Sequence, residues 1–177
     1  MNIRKLLFLI VIVLFVMLSL FYWFNASKKS KVSEEMVMYQ NPILRIQFQY
    51  SSGWGAQSSG LIQGYPTQYK GKDGFFVINA IPKCVDLSDT VTQVLSENAM
   101  LFGEKPNIEK CIVNSRVGFF IYPEESLPSG EEHPVCFVTE LLSPAFYNGQ
   151  TCSVLVLFST QEHIHSIVDT LQPYYPS

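Results

Sequence analysis

The chain has 177 residues, 47% of them apolar, with four cysteines and a formal net charge of −3. That length holds one domain and an appendage. Beyond residue 31, seven Lys or Arg stand against all fifteen Asp and Glu. Such a surface repels phosphate backbones and excludes nucleic acid as a partner.

The appendage comes first. Leu6 to Phe24 is an apolar run whose only hydroxyls belong to Ser19 and Tyr22. As a helix it would span roughly 28 Å, close to the hydrocarbon thickness of a bilayer. Tyr22, Trp23 and Phe24 close it with rings suited to the headgroup boundary. A cleaved export signal has a shorter core of about 7–15 apolar residues, and cleavage after Ala26 would leave bulky Phe24 where a small side chain is needed. The first cysteine is Cys84, so a lipid-modified N-terminus is excluded. The run predicts an uncleaved membrane anchor over 1–26, a juxtamembrane stalk over 27–40 and an α/β domain over 41–177. Arg4 and Lys5 precede the run; Lys28, Lys29 and Lys31 follow it, so the distribution of positive charge does not orient it.

In the domain, Leu44 to Tyr50 alternates apolar and polar residues, a strand with one face in a core. Ser51 to Gly55 reads as a turn, and Leu61 to Lys72, rich in Gly, Pro and Tyr, as irregular. Lys72-Asp-Gly74 is a hairpin signal leading into a strand over Phe75–Ile81. A helix follows over Leu87–Phe102, capped by Asp86 or Ser88 and ended by Gly103. Ile108–Val113 and Val117–Tyr122 form strands around an Asn114-Ser115-Arg116 turn. Val135–Leu142 and Cys152–Phe158 form another pair around a Pro144-to-Gly149 loop. In the closing helix Thr160 is the cap, Ile164, Ile167, Val168 and Leu171 make the apolar stripe, and Pro173 is the stop. The order β-β-β-α-β-β-β-β-α with short links predicts an α+β fold, a mainly antiparallel sheet covered by two helices.

The alternating strand running into Tyr50-Ser-Ser-Gly-Trp54 resembles the strand–turn–Trp opening of PsbP-like domains, although their usual Tyr-Pro-x-x-Trp has Ser51 in place of the proline. Gly74-Phe-Phe-Val-Ile-Asn-Ala80, the stretch Leu101-Phe-Gly-Glu-Lys-Pro-Asn-Ile108 and the terminal strand–helix are similar to small exported proteins of Gram-positive bacteria. The likeness covers about residues 41 to 172. It implies a PsbP-like α-β-α sandwich serving as an extracytoplasmic binding or accessory module, with the N-terminus inside and the domain outside. Its motifs are structural, and no functional residue carries over.

Four cysteines in an exported domain suggest two disulfides. Pairing the last two strands through their loop would instead set Cys152 opposite Leu141 and Cys136 opposite Leu157, with sulfurs roughly 16 Å apart. Cys111 and Cys136 would flank the Val117–Tyr122 strand about 10 Å apart. Only Cys84 with Cys111 stays open. His163 and His165 point about 200° apart on a helix and cannot grip one metal together; His165 with Asp169 reads as a surface pair. Glu124, Glu125, Glu131 and Glu132 bracket a loop whose spacing matches no calcium site. No cofactor or metal is predicted, and no catalytic residue. An envelope hydrolase using Cys136 with His133 and Glu140 is the alternative to a binding module, but Cys136 falls mid-strand among apolar residues. What remains are rings beside Gly and Pro. Trp54 reads as closing the end of the sheet, whereas Tyr65, Tyr69, Phe146, Tyr147, Tyr174 and Tyr175 form the predicted binding set for an envelope protein or glycan.

Overall fold

Two antiparallel sheets and two helical layers are built from these apolar periods. The computed structural model describes residues 35–57, 67–125, 127 and 133–175, with Met17 alone before them. Apart from Met17, the predicted anchor lies outside the described residues, as do the first part of the stalk, Tyr65, Glu131 and Glu132. Among the described residues no helix is long and apolar enough to cross a membrane.

The larger sheet has seven strands in the order β3-β4-β5-β9-β8-β7-β6. They are β3 (Gly55–Gln57), β4 (Thr67–Lys70), β5 (Phe75–Ile81), β6 (Asn107–Val113), β7 (Arg116–Tyr122), β8 (Val135–Tyr147) and β9 (Gln150–Ser159). Every neighbouring pair is antiparallel, as the hairpin-length links require of β4–β5, β6–β7 and β8–β9. A second sheet places β2 (Ile46–Ser51) between β1 (Met36–Asn41) and β10 (Gln172–Pro173).

The central strands β5, β8 and β9 are apolar on both faces because both faces are covered. On one side α1 (Leu87–Glu97) lays Leu87, Val91 and Val94 against Val77, Val138, Val154, Val156 and Phe158. On the other, α3 (Gln161–Asp169) and β2 enclose Phe48, Phe76, Phe137, Leu155 and Leu157 with Ile164, Ile167 and Val168. The expected sandwich is therefore present, with a small sheet sharing the layer of the closing helix.

Several boundaries differ from the expected ones. β1 begins at Met36, inside the stretch read as stalk, because Tyr39 is 9% exposed and stacks on Phe48 at 4.9 Å. The stretch read as irregular carries β4, since Tyr69 stacks on Phe76 at 4.7 Å. The first helix breaks at Asn98, whose φ of −124° leaves α1 and starts the short α2 (Ala99–Phe102). Asp86 caps α1 as expected, accepting from the Asp89 N–H at 2.8 Å.

The loop expected over Pro144–Gly149 is mostly strand. β8 continues to Tyr147, and only Asn148 and Gly149 turn, with φ of 50° and 81°. Positive φ at both positions is the turn geometry that keeps a hairpin twisted. A register shift between Glu140 and Ala145 then moves Cys152 opposite Ala145, not Leu141, and Cys136 opposite Phe158, not Leu157. The apolar pattern does not reveal the bulge, because Leu141 and Ala145 are both buried. Cys136 and Cys152 end about 20 Å apart along the hairpin, and all four cysteines are free.

Candidate binding site

Beside α1 part of one sheet face is left open. α1 packs over β8, while towards β6 and β7 the same face carries Ile112 at 76% exposure and Val117 at 40%. Register explains the alignment: Ile112 faces Val117 and Lys110 faces Phe119 across the β6–β7 hairpin. Between this face and the start of α1 lies a cleft of about 600 Å³. Its apolar wall includes Val117, Phe119 and Leu142.

Its polar wall gathers Lys83, Lys110 and Arg116, three of the seven cations beyond residue 31. Lys83 Nζ sits 2.7 Å from Glu140 Oε1, so that charge is paired. Arg116 opens β7 and donates its Nη1–H to the Glu140 carbonyl at 2.9 Å. The guanidinium is half-buried, and burial pulls its pKa below the ordinary value, with the Tyr175 hydroxyl acting in the opposite sense. Among the described residues no carboxylate lies within ion-pair distance of Arg116 or Lys110. From the sequence alone Arg116 reads as a turn residue. One signal points the other way: Asn114 and Ser115, with φ of 49° and 63°, complete a two-residue turn and leave Arg116 as the first residue of a strand.

The predicted rings divide sharply. Phe146 is 72% and Tyr175 74% exposed. Tyr174 is half-buried, its N–H bound to the Arg45 carbonyl at 2.9 Å. Tyr147 is 8% exposed and belongs to the core, its hydroxyl 3.3 Å from that of Thr67. Tyr69 is half-buried within the aromatic cluster around Phe76. Both were expected in loops, and both point inward because their segments are strands with period two. Trp54, 3% exposed, closes the sheet end as expected.

The histidines are not a merely solvated face. His163 Nδ1 lies 2.9 Å from Thr160 Oγ1, and its ring meets Trp54 edge-on at 4.9 Å. Asp73 Oδ2 is 3.9 Å from His163 Nε2. Hydroxyl, imidazole and carboxylate stand in the order of a nucleophilic triad, yet Thr160 is 9% exposed and Trp54 covers the imidazole. The trio is a latch between the start of α3 and the β4–β5 turn. His165 turns to the Tyr122 hydroxyl at 3.1 Å and packs on Phe120 at 4.6 Å, not on Asp169. Cys136 is 0% exposed and its thiol is pushed well up by burial, so no thiolate is presented to solvent. Glu140, its proposed companion, is committed to Lys83. Glu124 Oε2 accepts the N–H groups of Glu104 and Lys105 at 3.0 and 3.2 Å, tying the loop after α2. Among the described residues no group of three or more His, Cys, Asp or Glu could hold a metal ion.

The seven-stranded antiparallel sheet, with α1 on one face and α3 on the other, matches the solution structure of cyanobacterial PsbP (CyanoP) from Synechocystis. The TM-score is 0.50 at 15% identity, over 82% of this chain and 96% of that one. The fold is PsbP-like. A crystal structure from Bacteroides thetaiotaomicron is also similar, with a TM-score of 0.42 and 16% identity over 78% of this chain and 48% of that one. No protein-family model and no curated protein matches the sequence. At such identities the property that the PsbP-like domain shares is the fold itself.

Proposed function

We propose that this chain is a membrane-anchored binding module whose PsbP-like domain stands on the extracytoplasmic side and holds an envelope partner. The observation that carries the reading is the open cleft beside α1, in which a half-buried Arg116 has no carboxylate within ion-pair distance among the described residues. A cleft of about 600 Å³ is within the range of roughly 300–1,000 Å³ typical of ligand sites. Among the described residues, Phe146 and Tyr175 are the members of the aromatic set left exposed for a protein or glycan. The apolar run Leu6–Phe24 supports anchoring, and the excess of acid over base in the domain supports a partner other than nucleic acid. Binding is favoured over hydrolysis because Cys136 is fully buried.

The test is photo-crosslinking of the full chain in its own membranes. Benzoylphenylalanine replaces Leu142 at the cleft, Phe146 at the exposed ring, or Glu97 on α1 as a control. A discrete adduct from the first or second position, absent from the third, is the expected result. Equal or absent labelling at all three would end the binding reading.

A further inference from the structure

We infer that the cleft beside α1 takes a small anionic amphiphile, a single carboxylate or phosphate head carrying an apolar tail. This rests on the binding reading and specifies the ligand of that site. Charges in the cleft are unevenly committed. Lys83 and Glu140 neutralise each other at 2.7 Å, and Asp86 is occupied in capping α1. Arg116 and Lys110 are left as the cations without acid partners among the described residues. A guanidinium has five N–H donors, of which one is directed to the Glu140 carbonyl. Arg116 is half-buried and lines the cleft; a charge so placed without an acid partner is costly, and a bound anion relieves the cost.

The remaining wall restricts the tail. Val117, Leu142 and Phe119 present apolar surface on the same face as Lys110. An inorganic anion would leave that surface in water; an alkyl chain would bury it at about 25 cal/mol per Å². A polyanion is disfavoured by the acidic domain around the cleft, which carries fifteen acids against seven bases beyond residue 31. Two cations without acid partners among the described residues, beside one apolar wall, therefore define an amphiphile with one head. That chemistry is shared by single-chain metabolites and by bilayer lipids.

The full chain in neutral dodecyl maltoside is titrated calorimetrically with hexyl phosphate and, separately, dihexanoyl phosphatidate. Inorganic phosphate, hexyl glucoside and hexyltrimethylammonium are titrated in parallel. Hexyl phosphate is expected to bind at least about tenfold more tightly than any of the last three, the margin of one charge-assisted hydrogen bond. Stronger binding of the phosphatidate identifies a lipid as the source; stronger binding of hexyl phosphate identifies a single-chain compound. Arg116→Gln should weaken binding about tenfold. Because Arg116 also ties β7 to β8, Lys110→Gln is the second variant; it lies exposed on the edge strand β6, and a several-fold loss is expected. Equal binding of the neutral or cationic amphiphile, or unchanged affinity in both variants, would overturn the anionic class. In that event a crosslink at Leu142 would still stand for a binding site, whereas loss of both results would remove the binding reading as well.

Discussion

The Trp54 indole donates its N–H to Asp73 Oδ1 at 2.8 Å, joining the turn after β2 to the turn before β5. This bond gives the strand–turn–Trp opening its physical meaning: the ring packs against Tyr50, Phe76 and His163 and seals one end of the sandwich. Glycine is required where the ring passes the hairpin, because a Cβ at Gly71 would lie 2.2 Å from Trp54 Cδ1 and one at Gly74 would lie 2.8 Å from its Cζ2. Trp54→Phe removes the donor and leaves a void, and should cost about 2–3 kcal/mol. Asp73→Asn keeps an acceptor and should cost less than about 1 kcal/mol. Urea unfolding monitored by circular dichroism measures both; a Trp54→Phe protein as stable as the parent would remove the latch.

Tyr39 makes stability sensitive to alkali. Burial raises its phenol from 10.0 to about 12, opposed by the hydrogen bond from Asn41. Below pH 10 the hydroxyl is protonated in both folded and unfolded chains and has no pH effect. Between pH 10 and 12 the unfolded chain loses the proton first, so stability falls by roughly 2–3 kcal/mol across that window. Tyr39→Phe should flatten this slope in denaturation curves taken from pH 9 to 12. Slopes that coincide in the two proteins would mean that another group is responsible.

Thiol accessibility reports topology. Cys84 is exposed, its thiol directed to Gln93 Oε1 at 3.0 Å, whereas Cys136 and Cys152 are each 0% exposed. A membrane-impermeant maleimide applied to intact cells should modify Cys84 and spare the two buried thiols until denaturation. Modification that requires lysis would place the domain inside. The intact mass of the same protein should retain residues 1–31; a start near Ser27 would mean a removed signal.

The two neighbours Phe146 and Tyr147 should separate binding from folding. Tyr147→Ala empties a core position and should cost about 3–5 kcal/mol. Phe146→Ala should change stability by no more than about 0.5 kcal/mol. Burial of one such ring in a partner is worth on the order of 1.5–3 kcal/mol. Pull-downs from envelope extracts should therefore weaken for Phe146→Ala and Tyr175→Ala, and normal recovery with both variants would exclude the rings.

How far the pattern can be read depends on its period. The alternation in Leu44–Tyr50 and the stripe Ile164, Ile167, Val168 and Leu171 each report one buried face, and the structure buries Ile46, Phe48 and all four residues of the stripe. Tyr69 and Tyr147 escape such a reading because Gly and Pro nearby suggest loops; their partners, Phe76 and Thr67, come from other strands of the sheet and not from local sequence. The latch of Thr160, His163, Asp73 and Trp54 draws on three separate segments, and no spacing rule connects them.

By itself the sequence determined the α+β class, the PsbP-like opening at Trp54, the helix start at Asp86 and the acidic balance of the domain. The class, the helix start and the balance follow from local propensity and summed charge, which need no knowledge of neighbours in space; the opening at Trp54 rests on resemblance. Tertiary structure alone decided the shift between Glu140 and Ala145, the inward turn of Tyr147 and the meeting of Lys83, Lys110 and Arg116 in one cleft. The reason is register: the faces of β6, β7 and β8 are set by pairing across the sheet, and a single bulge redirects every side chain beyond it.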